Sequence, residues 1–201
     1  MKRFLPFLFT LLIPALAQAA PILVWGDSLS AGYGIPQETA WPSLLRQKLS
    51  REGYRYEDDN ATNSGETTAG GLARLPDALT RHKPEIVIIE LGANDGLRGQ
   101  SLVLMRNNLA SMIKAAQATK AKVLLLGMRL PPNLGPAYTQ KFHANFGELA
   151  SDYKTRLVPF FLEAVAPRHE LFQADTIHPV AEAQPLILDT VWVELKPLLH
   201  K

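Results

Sequence analysis

Short apolar runs of strand length alternate with longer segments of helical period along this chain, and this alternation restricts the fold more than any other feature. The apolar runs lie at residues 22–25, 86–89, 123–126 and 157–158. Segments with apolar residues at helical spacing lie at 39–52, 102–116, 138–153 and 179–195. Strands that alternate with helices form right-handed βαβ units with parallel strands. The sequence therefore predicts an α/β protein whose mostly parallel sheet is covered on both faces, a three-layer α/β/α domain.

One further strand is needed between residues 53 and 65, where the sequence is polar. Residues 56–63 read Tyr-Glu-Asp-Asp-Asn-Ala-Thr-Asn. Buried parallel strands are normally near-continuous apolar runs, which this segment is not. We predict a strand here on topological grounds alone.

The first nineteen residues have the pattern of a secretory signal peptide. Lys2 and Arg3 give a positive start, residues 4–16 are apolar, and Ala-Gln-Ala at 17–19 fits a small-x-small cleavage site. The apolar run is too short to span a bilayer and contains two prolines. We therefore predict a signal peptide at 1–19, export, and a single domain at 20–201.

Removal of that segment changes the charge of the chain. Lys2 and Arg3 are its only charged residues, so the Lys and Arg count falls from 21 to 19 and equals the 19 Asp and Glu residues. A neutral mature chain gives no reason to expect a nucleic-acid partner or binding to an anionic membrane surface. The chain also has no cysteine, which excludes disulfides, zinc–thiolate sites and cysteine nucleophiles.

Three small, polar, glycine-containing segments follow the first three predicted strands. They are residues 26–28, 64–66 and 92–95. In open parallel sheets, ligands bind beyond the carboxyl ends of the strands. We therefore expect these segments to converge on a single site.

Ser28 is the candidate nucleophile of that site. It follows a strand and Gly26, which permits a tight turn that exposes the serine oxygen at the sheet edge. A serine hydroxyl becomes a good nucleophile only when a neighbouring base takes its proton and a third group holds that base. The alternative is that residues 26–28 are simply a helix-capping loop.

His178 is the candidate base, with Asp175 three residues before it in a loop ahead of the last predicted helix. This spacing lets the Asp175 carboxylate accept the Nδ1 proton and aims Nε2 outward. The alternatives are an Asx-type turn that caps the helix, or a metal site, for which a third ligand is lacking nearby. The other histidines are interpreted as solvated or structural: His82, His143, His169 and His200.

Acyl transfer also needs hydrogen-bond donors where the oxyanion develops. The candidates are the backbone N–H groups of Ser28 and Gly65 and the side-chain amide of Asn94. Gly65 and Asn94 also tolerate positive φ, so ordinary turn chemistry is the alternative for both.

These four blocks together resemble the SGNH (GDSL-type) hydrolase superfamily. The blocks are Gly-Asp-Ser-Leu-Ser at 26–30, a glycine at 65, Gly-Ala-Asn-Asp at 92–95 and Asp-Thr-Ile-His at 175–178. Further segments are similar to those of the bacterial periplasmic multifunctional thioesterase, lysophospholipase and arylesterase group: residues 40–42, 71–76, 90–99, 129–131 and 183–185. The resemblance covers essentially the whole mature chain.

The resemblance implies a flavodoxin-like sheet of order 2-1-3-4-5, a Ser28–His178–Asp175 triad and an oxyanion hole of Ser28, Gly65 and Asn94. It further implies a monomeric periplasmic hydrolase of acyl thioesters, lysophospholipids and aryl esters, without a cofactor or metal. The chain departs from the family at the polar second strand, and a distorted strand there would misplace the Gly65 amide.

Residues 96–99 (Gly-Leu-Arg-Gly) directly follow the Gly-x-Asn-Asp block, and we interpret them as a mobile lip beside the acyl site. The expected substrate-binding residues are Leu97, Arg98, Leu130 and Pro131. The alternative is an ordinary flexible turn. Two rival functions stay open at this point, a carbohydrate acetyl-esterase of related fold and a non-catalytic periplasmic lipid-binding protein.

Overall fold

The computed structural model describes residues 20–201, so the predicted signal peptide at 1–19 lies outside the described residues. Five strands are present in this range: β1 (Ala20–Gly26), β2 (Tyr56–Asn60), β3 (Ile86–Glu90), β4 (Lys122–Leu126) and β5 (Arg156–Val158). The α-helices are α1 (Ser28–Ala31), α2 (Trp41–Arg51), α3 (Thr68–His82), α4 (Ala93–Leu97), α5 (Leu102–Ala118), α6 (Pro136–Tyr153) and α7 (Gln184–Leu195).

The strands form one parallel sheet of order β2-β1-β3-β4-β5, as the resemblance implied. Helix α2 packs beside α7, while α5 packs between α3 and α6. The central strand β3 is buried along its whole length, as expected of a strand covered by helices on both faces. The prediction of a three-layer α/β/α architecture is confirmed.

Strand β2 forms despite its polar sequence, because it lies at the edge of the sheet and pairs with β1 alone. Its five residues pair with β1 without a break, from Ala20 opposite Tyr56 to Val24 opposite Asn60. Tyr56 and Asp58 are the buried residues of the strand. The Asp58 carboxylate accepts a hydrogen bond from Arg46 Nε of α2 at 2.7 Å, so the buried charge is paired.

Helix α3 has no predicted counterpart, because Gly70, Gly71 and Pro76 interrupt its helical pattern. The Thr67 hydroxyl caps its first turn by accepting a hydrogen bond from Gly70 N. Gly71 is required where α3 meets the sheet: its carbonyl accepts a hydrogen bond from Trp25 Nε1, and a Cβ there would overlap Leu91. The glycine at position 71 is thus a consequence of close packing.

Two predicted helix boundaries are wrong. Helix α7 begins at Gln184 and not at residue 179, because residues 179–183 form an extended segment and a short 3₁₀ turn. Helix α2 begins at Trp41 after a separate 3₁₀ turn at Gln37–Thr39. Along residues 20–201, no helix combines the length and the apolar character needed to cross a bilayer.

The buried carboxylate of β2 yields a test of stability. Burial raises the pKa of Asp58, and the hydrogen bond and charge of Arg46 oppose this rise. Arg46→Met removes the opposing charge, so at pH 7 we expect the free energy of unfolding to fall by about 1–3 kcal/mol. The loss should shrink toward pH 4, because a protonated Asp58 carries no charge to be stabilised.

Urea unfolding at several pH values measures this effect, with Arg51→Met as the matched control. Arg51 is an exposed residue of the same helix. A loss for Arg46→Met that equals the control, or one that does not depend on pH, would contradict the account.

Candidate active site

A cavity of about 200 Å³ opens at the carboxyl edge of the sheet. The segments after β1, β2 and β3 converge on it, as their common place at the strand ends predicted. It is lined by Asp27, Ser28, Leu29, Tyr33, Ser64, Gly65, Ala93, Asn94, Leu97, Ile177 and His178. The sequence prediction of one convergent site therefore agrees with the arrangement of these three segments.

A continuous chain of hydrogen bonds joins Ser28, His178 and Asp175. His178 Nδ1 lies 2.6 Å from Asp175 Oδ2, and His178 Nε2 lies 2.8 Å from Ser28 Oγ. A carboxylate can only accept, so Nδ1 carries the proton and Nε2 accepts the bond from the serine hydroxyl. This is the arrangement in which an imidazole can take the hydroxyl proton.

Asp175 also shapes the loop that carries His178. Its Oδ1 accepts hydrogen bonds from the backbone N–H groups of Ile177 (2.9 Å) and His178 (3.0 Å). The turn places Thr176 at a φ of 60°, which is rare for a β-branched residue. Asp175 thus forms an Asx turn through Oδ1 and orients the His178 ring through Oδ2, so these two alternatives do not exclude each other. The turn does not cap α7, which begins only at Gln184.

The hydrogen bonds of Asp175 determine its ionisation. Burial raises its pKa, but the bonds from the His178 backbone, the His178 ring and the Ile177 backbone outweigh this and lower the pKa to about 2. The side chain therefore remains a carboxylate throughout the neutral range. It can stabilise the positive charge that His178 gains when it accepts a proton.

A buried carboxyl group holds the turn of the candidate nucleophile. Glu90, the last residue of β3, accepts hydrogen bonds at Oε2 from Asp27 N (3.2 Å) and Ser30 Oγ (2.7 Å). Glu90 is fully buried, and burial followed by the nearby charge of Asp27 raises its pKa well above the ordinary value. Gly26 permits this approach, because a Cβ there would lie 2.6 Å from Glu90 Oε2.

Asp27 connects that turn to Asn94. One oxygen of Asp27 caps α1 by accepting a hydrogen bond from Leu29 N at 3.0 Å, and the other accepts one from Asn94 Nδ2 at 3.0 Å. Asn94 Nδ2 also lies 3.0 Å from the carbonyl oxygen of Glu66. Burial raises the pKa of Asp27 to about 6, although the hydrogen bonds from Leu29 N and Asn94 Nδ2 lower it.

Two backbone donors beside the cavity are free. Within residues 20–201, no hydrogen bond uses the N–H of Ser28 or the N–H of Gly65. Gly65 has a φ of 77°, and its carbonyl oxygen accepts a hydrogen bond from Arg98 Nη2 at 3.1 Å. Bonds from Ala61 N to Val24 O and from Asn63 N to Gly26 O continue the contact with β1 beyond the end of β2, and Gly65 lies in the cavity wall with Ser28.

The four predicted substrate-binding residues differ in whether they line the cavity. Leu97 lines it, and Arg98 is exposed beside Gly65. Leu130 is buried against Gly96, and Pro131 is exposed, so neither belongs to the cavity wall. The segment interpreted as a lip is partly helical, since α4 extends to Leu97.

Sequence reasoning missed three carboxyl groups at the site: Asp27, Glu90 and Asp95. Asp95 accepts hydrogen bonds from the backbone and hydroxyl of Thr68 and so holds the start of α3. The sequence does carry one signal for Glu90, which is a carboxyl residue directly after the apolar run at 86–89. The interpretation of His82 as solvated is wrong, because it lies half-buried against Asp59 at 2.8 Å.

Comparison with known proteins identifies the family. The model of the GDSL-like lipase/acylhydrolase family matches residues 24–184. Esterase TesA of Pseudomonas aeruginosa is 52% identical over 183 residues, which are 91% of each chain. An arylesterase of Vibrio mimicus is 43% identical and covers 97% of this chain and 98% of its own.

Two further matches agree. Thioesterase 1/protease 1/lysophospholipase L1 of Escherichia coli K12 is 42% identical over 98% of this chain and 93% of its own. A crystal structure of TesA superposes with a TM-score of 0.87 at 52% identity, over 89% of this chain and 99% of that one. The chain therefore belongs to the GDSL-like lipase/acylhydrolase family, the family that its sequence blocks resemble.

Proposed function

We propose that this protein hydrolyses acyl esters and thioesters through an acyl-serine intermediate on Ser28. The observation that carries the proposal is the unbroken hydrogen-bond chain from Ser28 through His178 to Asp175 at the wall of the cavity. A helix-capping loop requires neither a histidine nitrogen 2.8 Å from the serine oxygen nor a carboxylate behind that histidine. The arrangement is that of a nucleophile, a base and an orienting group.

The first half of the reaction forms the acyl-enzyme. His178 Nε2 takes the Ser28 proton as Oγ attacks the acyl carbonyl carbon, and the negative charge develops on the carbonyl oxygen. The free N–H groups of Ser28 and Gly65 are the donors for that oxygen, and Asn94 Nδ2 joins them by turning one of its protons away from Asp27 or the Glu66 carbonyl. The intermediate collapses when the imidazolium of His178 gives its proton to the departing alcohol or thiol.

The second half releases the acid. A water molecule loses a proton to His178 Nε2 and attacks the acyl-serine carbonyl, and the same donors hold the second oxyanion. Collapse returns the proton from His178 to Ser28 Oγ. The ionised Asp175 faces Nδ1 throughout and stabilises each imidazolium state.

The apolar part of the cavity wall supports acyl chains as the substrate group. Leu29, Tyr33, Leu97 and Ile177 contribute apolar surface beside Ser28. Relatives named esterase, arylesterase, thioesterase and lysophospholipase support simple aryl esters, acyl thioesters and lysophospholipids as substrates. These names favour this proposal over the two rivals, a carbohydrate acetyl-esterase and a non-catalytic lipid-binding protein.

The proposal also includes residues and properties beyond the triad. Leu97 would contact the acyl chain at the cavity wall, and Arg98 would approach the substrate beside Gly65. Leu130 and Pro131 do not line the cavity, so Leu130 would act only indirectly, by packing against Gly96 of α4, and Pro131 would contact only a part of the substrate that extends beyond the cavity. The signal-peptide pattern of residues 1–19 supports export to the periplasm, and we propose a monomer with no cofactor or metal.

Covalent labelling tests the nucleophile. A fluorophosphonate probe should label the wild-type protein, and Ser28→Ala should abolish labelling and lower kcat by a factor on the order of 10⁶. Ser64→Ala is the matched control, because Ser64 lines the same cavity and should leave the labelling intact. Labelling that persists in Ser28→Ala would refute the assignment.

Asp175→Asn tests the orienting group. An amide at this position donates toward Nδ1 and favours the wrong histidine tautomer, so kcat should fall on the order of 10⁴-fold. The wild-type carboxyl, with a pKa of about 2, should add no acid limb to the rate between pH 5 and 9. Retention of more than a tenth of the wild-type kcat in Asp175→Asn would contradict the proposed role.

Leu97→Ala tests the acyl wall. One apolar contact discriminates substrates by about 1–3 kcal/mol. The ratio of kcat/KM for an octanoyl over an acetyl p-nitrophenyl ester should therefore fall by about tenfold. The exposed Val103→Ala serves as the control. Equal chain-length profiles for wild type and Leu97→Ala would show that Leu97 does not contact the chain.

A further inference from the structure

The side chain of Gln173 joins the loop that carries His178 to the segment that carries Ser28. Its Nε2 donates hydrogen bonds to the carbonyl oxygens of Tyr33 (2.7 Å) and Pro179 (3.2 Å). Two carbonyl oxygens face this end of the amide, so it must be the nitrogen end, and its two protons satisfy one acceptor each. Tyr33 lies just after the short helix that begins at Ser28.

The backbone of Gln173 closes the same loop on itself. Gln173 N donates to the carbonyl oxygen of His178 at 2.8 Å, and Gln173 O accepts from Thr176 N at 2.9 Å. Phe172 and Pro179 form an isolated antiparallel bridge at the base of the loop. The segment between them is therefore a compact unit.

Gly34 leaves space for this attachment. Its φ is +75°, and a Cβ at this position would overlap the Oε1 atom of Gln173. The Gln173 amide therefore lies directly against the backbone that follows Tyr33. Beside it the Tyr33 ring packs on the His178 ring, with the two centroids 4.6 Å apart and the planes inclined by 40°.

Few hydrogen bonds connect the two halves of the reacting pair. Apart from the Ser28–His178 bond, one hydrogen bond joins residues 27–36 to residues 172–180 in the part of the chain that the structure describes. It is the bond from Gln173 Nε2 to the carbonyl oxygen of Tyr33. The Ser28–His178 bond breaks and forms during the reaction. The Gln173 bond is thus the hydrogen bond that can hold the histidine loop in place while the proton moves.

We propose that Gln173 is a positioning residue that keeps His178 Nε2 within hydrogen-bond distance of Ser28 Oγ. The inference rests on the proposed function of Ser28 and His178. A displacement of about 1 Å at an active site can reduce the rate about 100-fold. Gln173 is absent from the cavity wall, so substrate binding should change little.

Gln173→Met and Gln173→Ala test the proposal, because the first keeps the length of the side chain and both remove the donor. We expect kcat for a short p-nitrophenyl ester to fall about 10- to 100-fold while KM stays within about twofold. The rate of fluorophosphonate labelling should fall in parallel, since it also requires the aligned pair. Gln140→Met, at an exposed position of α6, is the matched control and should retain the wild-type values.

The thermal midpoint of each variant separates positioning from a merely structural role. A merely structural role predicts that the thermal midpoint falls, while kcat and the labelling rate stay near wild type at temperatures well below that midpoint. That result would overturn the inference. Ser28→Ala, assayed in parallel, keeps the two proposals distinct. If Ser28→Ala is inactive while both Gln173 variants match wild type, the inference about Gln173 fails and the proposed function stands; turnover by Ser28→Ala rejects the proposed function itself.

Discussion

The buried carboxyl group of Glu90 is the interaction on which the rest of the site depends. It ends the central strand β3 and accepts hydrogen bonds from Asp27 N and Ser30 Oγ, on both sides of Ser28. A carboxyl group that is fully removed from water is costly unless it is hydrogen-bonded, and the two bonds to Glu90 Oε2 therefore favour a fixed turn here. Two further hydrogen bonds connect this turn to the other segments of the site. Asn94 Nδ2 donates to Asp27 and to the carbonyl oxygen of Glu66, the residue after Gly65.

The site therefore combines a rigid half with a half that is attached by few bonds. Ser28, Gly65 and Asn94 follow three adjacent strands of the sheet, and hydrogen bonds connect the turns that carry them. His178 and Asp175 lie in a loop well after β5, in which residues 174–177 are exposed. Asp175 fixes the shape of this loop internally, and Gln173 and Tyr33 attach it to the nucleophile segment. The turns at the sheet edge thus hold the nucleophile and the oxyanion donors, while the base that exchanges protons lies in a separate loop.

The sequence predicts the parts of the fold that depend on local pattern. The apolar run at 86–89 and the helical spacing at 102–116 correspond to β3 and α5. It does not predict α3, because Gly70, Gly71 and Pro76 are residues that disfavour a helix interior, and the need for Gly71 beside Leu91 and Trp25 appears only in the folded chain. The candidate triad was predictable because a nucleophile, a base and its orienter occupy short recognisable segments. The roles of Asp27 and Glu90 were not, because the value of a buried carboxyl group depends on partners that only the folded chain brings together.

The central claim is that an acyl group is carried on Ser28 between the two halves of the reaction. The most direct measurement is mass spectrometry of the wild-type enzyme after rapid acid quenching of a reaction with a p-nitrophenyl ester, followed by proteolysis and mapping of the modified peptide. The account predicts an adduct of the acyl mass on the peptide that contains Ser28, and a burst of p-nitrophenol equal to the amount of adduct. An adduct of the acyl mass on a residue other than Ser28 would contradict it.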